Sequence, residues 1–128
     1  MKYSKTMFVL VACGLLIACS DEGATPSQSN AASISEGELI PMSMQEKAKY
    51  YLISVGADGD YLKTLHSRVS TMSHGYSVTR IDCNGRRYQD LGYGEDAQSN
   101  IKMYDKMQWT DLVSGSSKYD LMRFACRK

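Results

Sequence analysis

The sequence predicts an α+β fold: a small antiparallel β-sheet with one or two helices packed on it, held by one disulfide. Three observations predict it. Short strand-like runs recur between turn signals after Tyr61, and an apolar face at helical spacing precedes them. Two cysteines far apart in the chain, Cys83 and Cys126, are left once the N-terminal pair is assigned.

The first element is not part of that fold. Met1 to Thr6 carries Lys2 and Lys5 and no acid, and Met7 to Ala18 is apolar apart from Cys13 and Gly14. A basic start, an apolar run of about 7–15 residues and a small-residue cleavage point make a secretory signal peptide. The run is too short to span a bilayer, which needs roughly 20 apolar residues. Leu16-Ile17-Ala18-Cys19 resembles the bacterial lipobox, whose cysteine receives a diacylglyceryl thioether and becomes the mature N-terminus. Cys13 ends a similar string after only six apolar residues, so Cys19 is the expected lipidation site. One acyl chain binds membranes marginally, whereas two or three, at ~0.8 kcal/mol per buried methylene, anchor stably. Gram-negative sorting retains lipoproteins with Asp after that cysteine in the inner membrane. Ser20 stands there instead, which implies the outer membrane, facing the periplasm or the cell surface.

Cleavage after residue 18 leaves 110 of the 128 residues, enough for one domain with a modest core. It also leaves 13 basic against 14 acidic residues. That near-neutral balance argues against a nucleic-acid binder, whose affinity needs a basic footprint. An even pair of cysteines in an exported domain reads as a disulfide, Cys83 to Cys126, because the compartment is oxidising. Residues 19–40 are rich in Ser, Gly, Ala, Asn and Gln and read as a flexible tether. As a coil of that length they would extend roughly 25 Å. The folded domain is then expected over residues 41–128.

Within it, Ser43 to Val55 is ambiguous. Met44, Ala48, Tyr51, Leu52 and Val55 share a helical face behind a Ser43–Glu46 capping pattern, while Tyr50 to Val55 is also a run of strand formers. One helix and a helix-then-strand reading are equally supported. Ala57-Asp58-Gly59-Asp60 reads as a turn. The next run, from Tyr61, places His66, Arg68 and Ser70 on a polar face. Asn84-Gly85 between Tyr76–Cys83 and Arg86–Tyr93 predicts a type I′ hairpin turn. Trp109 to Val113 suggests a short strand and Trp109 a core anchor. Tyr119 to Arg127 alternates, with Met122, Phe124 and Cys126 on one face, and predicts a final strand.

The order of features in the C-terminal half resembles the surface-adhesin protein E family of small Gram-negative lipoproteins. The resemblance is carried by Ile81-Asp82-Cys83, the return strand Arg86-Arg87-Tyr88-Gln89-Asp90-Leu91, Trp109, the Gly115-Ser116 turn and Phe124-Ala125-Cys126. It covers about Tyr50 to Cys126. Ser114 stands where that family usually has proline before the Gly-Ser turn. The resemblance implies an antiparallel sheet with a helix on it, a Cys83–Cys126 bridge and adhesion to host matrix proteins, but carries over no ligand-binding residue.

The chemistry-bearing residues are few. His66 and His74 are the only histidines and read as exposed surface groups. No Gly-x-Ser-x-Gly elbow, zincin motif or P-loop occurs, so no catalytic, cofactor or metal residues are expected. Asp58-Gly59-Asp60 lacks the later ligands and closing Glu of a calcium loop. Asp82 and Asp90 are expected to pair with Arg86 and Arg87 across the hairpin. Nine tyrosines against two phenylalanines either build half-exposed strands over a thin core or mark a wet binding face, for which Arg86, Arg87, Tyr88, Tyr93, Lys102 and Tyr104 are the candidates. The function these readings favour is a non-enzymatic outer-membrane lipoprotein that binds a macromolecule, with surface adhesion as one form. The expected partner is a host matrix protein or an envelope protein, with a second copy of the chain as a further candidate. The alternative is a periplasmic inhibitor or protective factor against a wall hydrolase or a toxin.

Overall fold

The computed structural model describes residues 37–128, so the expected signal peptide, the expected lipidation site Cys19 and most of the expected tether lie outside the described residues. Its elements in chain order are β1 (Glu38–Leu39), β2 (Lys49–Asp58), β3 (Tyr61–Val69), β4 (His74–Asp82) and β5 (Arg87–Glu95). A 3-10 turn (Gln98–Asn100), β6 (Lys102–Met103), β7 (Thr110–Asp111) and α1 (Ser117–Ala125) follow. All strands join one antiparallel sheet in the order β1 to β6, with β7 also on β5. The fold is therefore mainly β, with one helix among the described residues rather than a balanced α+β arrangement.

Several sequence readings change at this level. Ser43 to Val55 contains no helix: residues 41–48 are irregular and Tyr50 to Val55 lies inside β2. β-Branched and aromatic residues there pair with β3, and that ladder outweighs a capping pattern with little apolar surface to cover. The folded domain also begins earlier than residue 41, where composition set its start. Glu38 and Leu39 pair with Leu52 and Tyr51, and Ile40 is 2% exposed in the core. Asp58 and Tyr61 pair around Gly59-Asp60, with Gly59 at φ +65°, as the predicted turn requires.

The β4–β5 hairpin forms in the predicted order, but not through a type I′ turn. Asp82 pairs with Arg87, leaving a four-residue loop in which Arg86, not Gly85, takes a positive φ of 55°. The Asp82 carboxylate accepts the Gly85 amide at 2.7 Å, which organises the loop as an Asx turn. A Cβ on Gly85 would stand 2.3 Å from that carboxylate.

Ser117–Ala125 is a helix, not the final strand that its alternation suggested. Ser116 caps it, its Oγ accepting the Tyr119 amide at 3.2 Å. Leu121, Met122 and Ala125, at helical spacing, join Leu52, Ile81 and Ile40 in the core. Fully burying a Leu or Ile side chain contributes roughly 1.5–3 kcal/mol, and with the cavity left behind Leu121→Ala should cost about 2–5 kcal/mol. At the helix end Cys126 is bonded to Cys83 in the hairpin loop, with Cα atoms 6.0 Å apart. The bridge ties the last element of the chain to the β4–β5 hairpin loop. Trp109 is half-buried rather than a core anchor: it packs on Tyr61 at 4.8 Å and under Arg87 at 5.0 Å, near the hairpin.

Candidate functional site

Two irregularities decide what faces the helix. Between Leu52↔His66 and Ser54↔Leu65, Ile53 is an extra residue in β2. Between Thr79↔Asp90 and Val78↔Gly92, Leu91 is an extra residue in β5. A bulge of this kind moves the residues beyond it to the opposite face. Tyr93 therefore lies opposite Ser77 and on the same side as Asp90, three residues away. The helix side of the sheet then carries Leu62, Thr64, His66 and Arg68 from β3 and Gly75, Ser77, Thr79 and Ile81 from β4. Its apolar end lies under α1. Its polar end meets only the first residues of α1.

That polar end is a cleft of about 190 Å³ at the start of α1. Tyr50, His66, Arg68, Gly75, Ser77 and Tyr93 line it from the sheet, and Ser117 and Lys118 from the helix. His66 is only 6% exposed, and its Nδ1 is buried without a hydrogen-bond partner among the described residues. The exposed histidine expected from the polar pattern is thus buried, because α1 and its lysine pack over that side of β3. Burial first, and the Lys118 charge second, push its pKa down to about 3, so the ring is neutral.

Lys118 reaches across the sheet rather than into solvent. It pairs with Asp90, donates to Thr79 Oγ1 at 2.9 Å and lies over the Tyr88 ring at 5.4 Å. Burial pulls its pKa below the usual lysine value, while Asp90 opposes that shift. Thr79 Oγ1 also donates to Asp90 at 3.0 Å. Asp90 therefore pairs with the helix, not with the hairpin arginines as expected. Asp82 does pair with Arg87, at 2.9 Å. The Arg87 hydrogen bond, then the Gly85 amide, hold the Asp82 carboxyl below its usual range.

Arg68 is exposed at the cleft mouth, its Nε donating to Tyr50 Oη at 3.3 Å. It forms no ion pair among the described residues. Tyr50 Oη donates to Glu46 at 2.9 Å and Tyr93 Oη to Glu95 at 3.2 Å. Burial and the Glu95 carboxylate raise the Tyr93 phenol above its usual value, so it stays a neutral donor. At the helix start the amides of Ser117 and Lys118 have no acceptor within the helix, and they carry its positive end.

The six residues expected to form a binding face are divided by the fold. Arg86 and Arg87 lie at the hairpin end. Arg86 donates to Tyr119 Oη at 3.2 Å, and Arg87 is held by Asp82 and Trp109. Tyr88 lies under Lys118. Tyr93 is roughly 20 Å further along β5, at the cleft, where Lys102 pairs beside it and Tyr104 is exposed. His66, Arg68, Ser77 and Lys118 were not singled out for binding by the sequence. His74 is not a free turn residue either: it begins β4, and its ring lies 4.5 Å from that of Tyr76. The chain matches no family model, no curated protein and no solved structure.

Proposed function

We propose that this chain is a lipid-anchored, non-enzymatic binding module of the outer membrane, and that the cleft beside α1 is where it holds a protein partner. The observation that carries the reading is His66, on the wall of an open polar cleft, whose buried Nδ1 has no hydrogen-bond partner among the described residues. Such an atom is costly to leave unbonded unless something else completes its hydrogen bond. The tyrosines flanking it, Tyr50 and Tyr93, have the mixed apolar and polar character of contact residues. Binding is favoured over catalysis because a histidine with a pKa near 3 is a weak base at neutral pH. The lipobox at Cys19 and the resemblance to the surface-adhesin protein E family support the anchor and an envelope role, with adhesion as one form of it.

The anchor is tested by labelled-palmitate incorporation, which Cys19→Ala should abolish. The cleft is tested by capture of the partner from living cells by wild type and by Arg68→Gln. Equal capture by both would remove the cleft from the account.

A further inference from the structure

We propose that the cleft recognises a single carboxylate at the end of a peptide chain, which Arg68 and the first amides of α1 would hold against His66. This rests on the reading of the cleft as the recognition site and names what enters it.

Charge selects the ligand class. Lys118 is already neutralised by Asp90, so the guanidinium of Arg68 is the cation left uncompensated among the residues lining the cleft. One fork of N–H donors matches one carboxylate, in two parallel hydrogen bonds. Glu46 and Glu95, bonded to the rim tyrosines, would repel a dianion such as a phosphate monoester. The helix start, whose first amides lack acceptors within the helix, contributes its positive end, which favours an anion there. His66 supplies the second, independent observation. Its neutral ring has a buried Nδ1 with no partner among the described residues, and a ligand oxygen that reaches it would give that atom one if it carries the proton.

Size selects the chain end. The cleft, at about 190 Å³, is smaller than the roughly 300–1,000 Å³ of sites that enclose drug-sized molecules. It has room for a terminal residue, while Tyr50 and Tyr93 lie where the preceding residues would leave. Tyr93 is 41% exposed, with a ring face available for that contact.

The test uses the full, lipid-anchored chain in detergent micelles, followed by nitrogen-resolved NMR of the His66 ring and Arg68 Nε. N-acetylglycine should shift both sets of signals saturably. N-acetylglycinamide, which lacks the charge, should bind at least about tenfold more weakly. Arg68→Gln should lose at least about tenfold in affinity, and Arg68→Lys should recover part of it, because charge returns without the fork. Arg68 is exposed, so an unchanged His66 signal in the unliganded variants shows that the fold is kept. The amide of N-acetyl-aspartic acid presents a side-chain carboxylate instead. Tighter binding of that probe would overturn the chain-end assignment. Equal binding of N-acetylglycine and its amide, or no saturable shift up to about 10 mM, would overturn the proposal. If either occurs while a photo-reactive group at Tyr93 still captures a partner in cells, the cleft remains a protein-binding site and only its chemistry is wrong.

Discussion

Tyr93 lies against the bare Cα of Gly75: a Cβ added there would stand 2.7 Å from the tyrosine oxygen. The two residues are not cross-strand partners, since Gly75 pairs with Glu95 and Tyr93 with Ser77. The ring leans along the sheet to reach the glycine, and this lean forms one wall of the cleft. Gly75→Ala should therefore push Tyr93 off the sheet. The clash is with a side chain that can move, so the protein should fold normally. Partner binding should fall about tenfold or more, and the Tyr93–Glu95 hydrogen bond should be lost. Binding assays with the ring signals of Tyr93 check both. An unchanged affinity would mean that Tyr93 does not contribute.

His66 predicts a specific dependence of stability on pH. Its folded-state pKa is about 3, against 6.5 for the free side chain. The unfolded chain takes up this proton first as pH falls. The contribution of His66 is thus complete above pH 6.5 and is lost progressively between 6.5 and 3. At pH 5 the loss should be roughly 2 kcal/mol. Lys118 and Arg68 face it from α1 and from its own strand, and Tyr50 and Tyr93 line the same cleft. Asp90, paired with Lys118, and Glu95, bonded to Tyr93, are present in both proteins compared. Urea unfolding at pH 7 and pH 5 should show the drop in wild type and a much smaller one in His66→Gln. Equal drops would mean that the ring is not buried neutral.

The Cys83–Cys126 bridge closes a sequence separation of 43 residues around β5 and α1. The chain-entropy model gives roughly 4 kcal/mol for a loop of this length. Cys126→Ser, or reduction, should lower the unfolding free energy by about 2–5 kcal/mol, with the last turn of α1 losing hydrogen-exchange protection first. Denaturant midpoints with and without reductant measure this. Identical midpoints would show that the packing of Leu121, Met122 and Ala125 is sufficient alone.

The sheet was legible because its strands alternate and its turns carry glycine. The Gly59-Asp60 turn, the β4–β5 hairpin and the disulfide could all be anticipated from local pattern. The helix could not. Tyr119 to Cys126 has apolar residues at both strand and helix spacing, and the choice falls to the Ser116 cap and to the covering of Leu52 and Ile81 by Leu121 and Met122. In the hairpin loop, Asn84-Gly85 suggests one turn, while the Asp82 carboxylate imposes another.

The cleft was hidden for a different reason. It depends on where two extra residues fall, Ile53 in β2 and Leu91 in β5, because each reverses which side chains share a face. Straight alternation from Tyr88 would place Tyr93 on the far side of the sheet. It also depends on Lys118, whose pairing with Asp90 joins residues 28 positions apart. No local pattern in β3 marks His66 as buried, since its neighbours Ser67 and Arg68 are polar and the covering helix comes from the far end of the chain.

Photo-crosslinking in living cells compares the two ends of the sheet directly. A photo-reactive residue at Tyr93, beside the cleft, should capture one protein partner, and that capture should disappear in Arg68→Gln. The same group at Asn84, in the exposed hairpin loop at the other end of β4, should capture none. Capture from Asn84 with silence at Tyr93 would place recognition at the hairpin and contradict the assignment of the cleft.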